Sequence, residues 1–188
     1  MAEPAGTAPA SLWCWRHPRA IGTEGRCVGQ TDVPVDLRRA KRLAHRIRAT
    51  ARAHGLPHAV WVSTLARSHN VGRWLARWGW RVHVDARLCE LNFGAWDGRA
   101  WDDIAWAEVE AWQHDLLHHR PGGGESLNML RDRVWAFVAE AQAAGGPRLL
   151  VTHGGWINAL LHAPAQRTEV LAAQWPNAPG HGSLNRWP

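Results

Sequence analysis

The sequence predicts an α/β fold, a mostly parallel sheet covered by helices, and three observations carry that prediction. Short apolar runs alternate with stretches of 3.6-residue periodicity, in the order strand, helix, strand, helix, strand. The main runs are apolar throughout, as in strands buried on both faces. A chain of 188 residues that is 46% hydrophobic also suits one domain with a substantial core.

Met1 to Ala10 is small and polar with two prolines, and it lacks the basic start and apolar run of a secretory signal. Residues 1–10 are therefore expected to be a flexible tail, and residues 11–188 a single domain. Ser11 to Trp15 reads as a buried strand that stops abruptly at Arg16-His17-Pro18. Arg19 to Pro34 is rich in Gly, Thr and Asp and has no helical period, so it reads as a long functional loop. From Asp36 to His54, Leu37, Ala40, Leu43, Ala44, Ile47 and Ala51 recur near every 3.6 residues, with Arg38, Arg39, Arg42, Arg46 and Arg52 opposite them. Gly55 and Pro57 stop that helix.

Ala59 to Ser63 is a second strand, followed by a helical pattern through Leu65, Val71, Trp74, Leu75 and Trp78 that Gly79 ends. Arg81 to Val84 is a third strand. A polar loop then holds Phe93-Gly94-Ala95-Trp96-Asp97-Gly98, and a Trp-rich amphipathic stretch runs from Trp101 to His118. Its tryptophans are expected to cover the core or line a lid rather than form a stacking platform. Glu125 to Ala144 is helical, so a helical lid insertion is expected over about 86–144. Gly145-Gly146-Pro147 turns the chain into the apolar strand Arg148 to Thr152, Gly154 to His162 starts another helix, and Ser183 to Trp187 reads as an edge strand.

Composition limits what any single residue proves. The chain holds 12 His, 14 Trp and 22 Lys+Arg, of which only Lys41 is lysine, so position and local pattern must carry the weight. A net charge of +6 is compatible with nucleic acid, an anionic membrane or small anionic substrates. No stretch approaches the roughly 20 apolar residues of a membrane span. Cys14, Cys27 and Cys89 are widely spaced and suggest neither a disulfide framework nor a zinc knuckle, so free thiols and a cytoplasmic location are expected.

In an open α/β sheet the ligand lies at the carboxyl ends of the strands. That rule gathers Arg16-His17, Ser63 to Arg67 and His153-Gly154 on one edge. A dianionic phosphomonoester requires fixed positive charge, hydrogen-bond donors, a nucleophile and an acid for the leaving oxygen. Arg16 and Arg67 suit the charge, because guanidinium forks match phosphate oxygens. The backbone N–H groups of Gly154 and Gly155, opening a helix, would add donors.

His17 is the candidate nucleophile, because an imidazole kept neutral by its cationic surroundings can attack phosphorus. His153 is expected to stabilise charge on the transferring group. Glu90 is the candidate acid and base, with Asp97 and Glu125 as the competing carboxylates nearby. His114 and His118 have a spacing that can hold a metal, but no third ligand accompanies them and a solvated helix face is expected. Neither metal nor cofactor is expected.

Five pieces carry a family resemblance: Leu-Trp-Cys-Trp-Arg16-His17, Ser63-Thr-Leu-Ala-Arg67, Glu90-Leu-Asn-Phe-Gly94-Ala-Trp-Asp-Gly98, Gly123-Gly-Glu-Ser126 and Val-Thr-His153-Gly-Gly155. In this order they resemble the successive signatures of the histidine phosphatase, or phosphoglycerate mutase-like, superfamily, from Leu12 onward. The resemblance implies a three-layer αβα sandwich with a small helical lid, a phosphohistidine on His17, a phosphate pocket of Arg16, Arg67 and His153, and Glu90 as proton donor. The loop Gly25-Arg-Cys-Val-Gly-Gln-Thr-Asp-Val-Pro34 is further similar to that of α-ribazole phosphatase-like members, which act in cobalamin assembly.

Two departures stand out. Pro18 replaces the usual Gly after Arg-His, which removes a backbone donor and stiffens the turn. The family's Arg-His-Gly-Glu-Thr stretch is absent, and Thr23 falls where its downstream Asn would be. The expected activity is a histidine acid-type phosphatase acting on a small phosphorylated metabolite, with no nucleic-acid or membrane partner. A phosphoglycerate mutase-type transfer is the nearest alternative, although the chain is short for the cofactor-dependent mutases. A nucleic-acid-binding module built on the Arg38–Arg52 helix is the alternative from another class, and a catalytically dead scaffold is a third.

Overall fold

A computed structural model describes residues 10–163 and 172–188. Residues 1–9 of the expected tail lie outside them, and its last residue, Ala10, is buried rather than loose. Five strands, β1 (Ser11–Arg16), β2 (Ala59–Val62), β3 (Arg81–Val84), β4 (Pro147–Thr152) and β5 (Leu184–Trp187), form one sheet in the order β3-β2-β4-β1-β5. All neighbours are parallel except β5, which runs antiparallel to β1 at the edge.

The sheet is buried on both faces because its central strands carry unbroken apolar runs, Leu12 to Trp15 in β1 and Leu149 to Val151 in β4, whose alternate residues face opposite sides. Leu12 and Cys14 of β1 and Leu150 of β4 face one cluster, while Trp13, Trp15, Leu149 and Val151 face the other. Helices α1 (Leu37–His54) and α2 (Ala66–Ala76) cover the second face, whereas α4 (Leu127–Ala144) and α5 (Gly154–His162) cover the first. Each fully buried Leu or Val contributes roughly 1.5–3 kcal/mol, more than an exposed ion pair, so this two-sided burial is what holds the layers together. The arrangement is the expected αβα sandwich.

Local signals set the helix ends. Asp36 accepts a hydrogen bond from Arg38 N at 2.7 Å to start α1, and Gly55, at φ 61°, ends it. The Trp-rich stretch is less helical than its pattern predicts: residues 101–103 form a short turn, and α3 spans only Trp106–His114. Ile104 explains the break, because it is buried against Cys27 and Trp96 in extended backbone. The expected insertion over 86–144 also divides differently. Leu130, Val134, Phe137 and Val138 place α4 within the main core, leaving residues 86–126 as the irregular segment over the cavity described below.

Glycines let two parts of that segment cross. A Cβ on Gly94 would lie 2.2 Å from the Gly122 carbonyl oxygen, and one on Gly124 would lie 2.1 Å from that of Asn92. Only backbone fits there, which links the Phe-Gly and Gly-Gly-Glu-Ser signatures in space. Among the described residues, no helix is long and apolar enough to cross a membrane.

Candidate active site

Strand register brings the two histidines together. Arg16 pairs with Thr152 across β1 and β4, so His17 and His153 are the next residues along neighbouring parallel strands. Their ring centroids are 4.8 Å apart, close to the roughly 4.8 Å spacing of adjacent strands. Strand β2 lies on the other side of β4, and its continuation, Ser63, meets His153 with Oγ 2.8 Å from Nε2.

The hydrogen bonds assign the imidazole nitrogens. His17 Nδ1 lies 2.8 Å from the Pro18 carbonyl oxygen, which makes Nδ1 the donor and leaves Nε2 with its lone pair. Pro18 therefore supplies the acceptor that orients His17, a contact the loss of its own N–H does not touch. Leu65 N donates to Ser63 Oγ at 3.4 Å, so the Ser63 hydroxyl is placed to donate to His153 Nε2. With the Ser63 hydroxyl as donor, neutral His153 carries its proton on Nδ1, a buried atom with no hydrogen-bond partner among the described residues. Burial holds His17 well below the usual histidine range, reinforced by the nearby charge of Arg67. His153 is held well below it too, first by burial and then by His17 and Arg67. Both rings are neutral near pH 7.

Two arginines converge on this pair. Arg16, half-buried, donates from Nη1 to the Pro179 carbonyl at 2.6 Å, while its buried Nε has no partner among the described residues. Arg67, at the start of α2 and only 2% exposed, donates to the carbonyls of Thr31, at 2.9 Å, and Gly29. Asp97 anchors that loop in turn, accepting from Gly29 N, Gln30 N, Thr31 N and Thr31 Oγ1 at 2.7–3.0 Å. Burial pulls the Asp97 carboxyl upward, but these bonds hold it below the usual carboxylate range.

Of the three candidate carboxylates, only Glu90 lines the cavity with His17, Arg16 and Arg67. Glu90 accepts from Leu91 N at 2.9 Å and from Gly155 N at 3.0 Å. Glu125 is paired with Arg133 at 2.9 Å and takes Asn92 N, and Asp97 serves the loop. The expected pair of glycine donors is corrected here. The Gly155 N–H is taken by Glu90, because a carboxylate at a helix N-terminus satisfies the first-turn donors. Gly154 packs closely on Arg16, where a Cβ would come 3.3 Å from the guanidinium carbon and 2.7 Å from Ala178 Cβ.

The cavity is about 790 Å³. Phe93, Trp101, Trp112 and Trp175 give it aromatic walls, and Arg19 and Arg26 stand with Arg16 and Arg67 as its cations. Thr23 lines it as well. His114 and His118 are committed elsewhere, to the Glu110 carbonyl and the Asp115 carboxylate at 2.8 and 2.9 Å.

One site residue escapes the sequence reading. His181 lies 5.3 Å from His17, ring to ring, and its Nδ1 is 3.2 Å from the His17 carbonyl oxygen. Its segment, residues 177–183, has no regular pattern before β5. The one available signal was adjacency to an edge strand that pairs with β1.

Comparison with known proteins identifies the family and the fold. Residues 12–184 match the family described as the histidine phosphatase superfamily (branch 1). A probable phosphoglycerate mutase of Yersinia enterocolitica is 30% identical, over 78% of this chain and 70% of its own. Glucosyl-3-phosphoglycerate phosphatase of Mycobacterium tuberculosis is 32% identical, over 84% of this chain and 79% of its own. Among solved structures, a mycobacterial glucosyl-3-phosphoglycerate phosphatase superposes with a TM-score of 0.74 at 28% identity, covering 94% of this chain and 88% of its own. The α-ribazole phosphatase of Shigella flexneri shares the fold, with a TM-score of 0.73 at 24% identity over 94% of this chain and 89% of its own.

Proposed function

This chain belongs to the histidine phosphatase superfamily, and we propose that it is a metal-independent phosphomonoester hydrolase of the cytoplasm that works through a phosphohistidine on His17. The observation that carries the reading is the orientation of His17: Nδ1 is held by the Pro18 carbonyl, so Nε2 is the nitrogen left to attack, beside His153 and two arginines.

In the first step the Nε2 lone pair forms a bond to phosphorus while the ester P–O bond breaks. Glu90 gives its proton to the departing alkoxide. Arg16, Arg67 and the Nδ1–H of His153 take the charge on the equatorial oxygens, so the protein's own cations fill the electrostatic role. In the second step Glu90 removes a proton from water, whose oxygen bonds to phosphorus as the P–N bond breaks, releasing phosphate and neutral His17. Three unpaired, buried cysteines are consistent with a reducing compartment.

The leaving group is taken to be the α-ribazole portion of α-ribazole phosphate. The walls of Phe93, Trp101, Trp112 and Trp175 suit a flat aromatic base, and the loop from Gly25 to Pro34 supports the same substrate. A second reading, a glucosyl-3-phosphoglycerate-type ester, rests on the likeness to the mycobacterial enzyme. Phosphoglycerate mutase-type transfer remains the alternative from the Yersinia relative.

Turnover of p-nitrophenyl phosphate in a chelator tests the hydrolase reading, with His17→Ala expected to be inactive and the wild type to trap an acid-labile, base-stable phosphoryl label. Labelling that survives in His17→Ala would move the nucleophile elsewhere. Comparing kcat/KM for α-ribazole phosphate, glucosyl-3-phosphoglycerate and 3-phosphoglycerate then ranks the substrates.

A further inference from the structure

A second cleft, about 500 Å³, opens beside the active-site cavity and shares two of its wall residues, Arg19 and His181. Its remaining walls are Pro18, Gly182, Leu43 and three arginines of α1, Arg39, Arg42 and Arg46. Among the described residues, no carboxylate lines it. Arg19 has one acidic neighbour, Glu24 at 3.6 Å, with both side chains more than half exposed.

Five of the seven Lys and Arg residues of α1 fall into two sets. Lys41 lies over Trp74 of α2 at 4.9 Å and Arg48 over Trp78, just past the end of α2, at 4.6 Å, so these charges are used in packing α1 against that helix and its C-terminal turn. Arg39, Arg42 and Arg46, at spacings of three and four, form one stripe that faces the cleft. None of the three forms an ion pair among the described residues. A solvated helix face would explain exposed arginines, but it would not by itself place three arginines of α1 and Arg19 of the loop after β1 around one cleft.

The cleft is also tied to the catalytic strand. Gly182 N donates to the Arg16 carbonyl at 2.9 Å and His181 Nδ1 reaches the His17 carbonyl at 3.2 Å. Gly182, at φ 72°, lets Arg46 approach, since a Cβ there would stand 3.1 Å from the Arg46 guanidinium. Pro18 forms the wall on the other side, and its carbonyl is the group that orients His17.

We propose that this cleft is a second oxyanion site, distinct from the phosphoryl site at His17, which takes a multiply charged phosphate group between Arg19, Arg39, Arg42 and Arg46. Guanidinium forks match phosphate oxygens two at a time, and an occupant would relieve the repulsion among the four. Contact with Pro18 and His181 gives the occupant a route to the orientation of His17. The phosphate group is either a free oligophosphate or the distal phosphoryl of a substrate that reaches round His181.

The test is calorimetric titration of pyrophosphate into the full chain saturated with orthovanadate, which fills the phosphoryl site. Pyrophosphate is expected to bind still, and Arg42→Gln/Arg46→Gln to weaken that binding by about tenfold or more. Hydrolysis of p-nitrophenyl phosphate by the same variant, at physiological salt, is expected to stay within about threefold of wild type. Failure of pyrophosphate to bind the vanadate-saturated protein, or equal binding by the variant, overturns the proposal. A non-competitive effect of pyrophosphate on turnover identifies a free anion as the occupant. Loss, in the variant, of a rate advantage of bisphosphates over monophosphates identifies the substrate's distal group. A protein that binds pyrophosphate here but hydrolyses no ester leaves the cleft standing and refutes the phosphatase reading alone.

Discussion

Replacing Ser63 by Ala isolates the part of the site that depends on one buried hydroxyl. Ser63 and His153 are both fully buried, and the 2.8 Å contact between Oγ and Nε2 is the bond that holds the His153 proton on Nδ1. Deleting Oγ leaves a void of about one atom, too small for a water to replace it. His153 Nε2 is then a buried nitrogen without a partner, which costs about 1–3 kcal/mol. For a domain of this size that corresponds to a melting temperature lower by roughly 2–12 °C.

The catalytic effect is separate from the stability effect. Without Ser63 the imidazole is free to carry its proton on Nε2, which turns the Nδ1 lone pair toward the anionic phosphoryl group. Complete loss of one oriented donor of this kind costs about 100- to 1,000-fold in kcat, and here the donor is lost only in the fraction of molecules with the other tautomer, so a fall of roughly 10–100-fold is expected. The assay is steady-state hydrolysis of p-nitrophenyl phosphate well below the melting temperature, with melting followed by circular dichroism. A Ser63→Ala protein that melts within about 1 °C of wild type and keeps its kcat would refute both the tautomer assignment and the role given to His153.

Three further outcomes are expected. Glu90→Gln should slow alkyl phosphates by about 100-fold or more and aryl phosphates far less, because only the poor leaving group needs the proton; equal losses would remove Glu90 from the acid role. Asp97→Asn turns one of the oxygens that receive the 29–31 loop into a donor, so Arg67 loses its fixed carbonyl partners and KM should rise about tenfold with a smaller change in kcat; a change confined to kcat would count against the relay. Acid should destabilise the protein as pH falls below about 6.5. The unfolded chain takes up protons at His17 and His153 there, whereas the folded rings resist until their depressed pKa values are reached. Melting curves at pH 5 and pH 7.5 should therefore diverge less in His17→Gln/His153→Gln than in wild type.

The strand-end histidines were legible because each follows an apolar run that only a doubly buried strand explains, and Arg16 and His153 sit next to those stops. Glu90 was legible as one of several carboxylates. Glu125 and Asp97 could be set aside only once Arg133 and the 29–31 loop were seen to occupy them. The tryptophans misled in one respect: their spacing suggested a continuous helix from 101 to 118, but burial of Ile104 against Cys27 and Trp96 outweighs helical propensity there.

Sequence by itself determined the α/β class, the order of elements and the family motifs, and it singled out Arg16, His17, Arg67, Glu90 and His153 as candidate site residues, because periodicity and short signatures are local properties. Tertiary structure alone decided which ring nitrogen each histidine offers, that Gly155 serves Glu90, and that His181 and the arginines of α1 stand beside His17. Those facts depend on strand register and on contacts between segments up to 164 residues apart, and no local pattern encodes a distance between two strands.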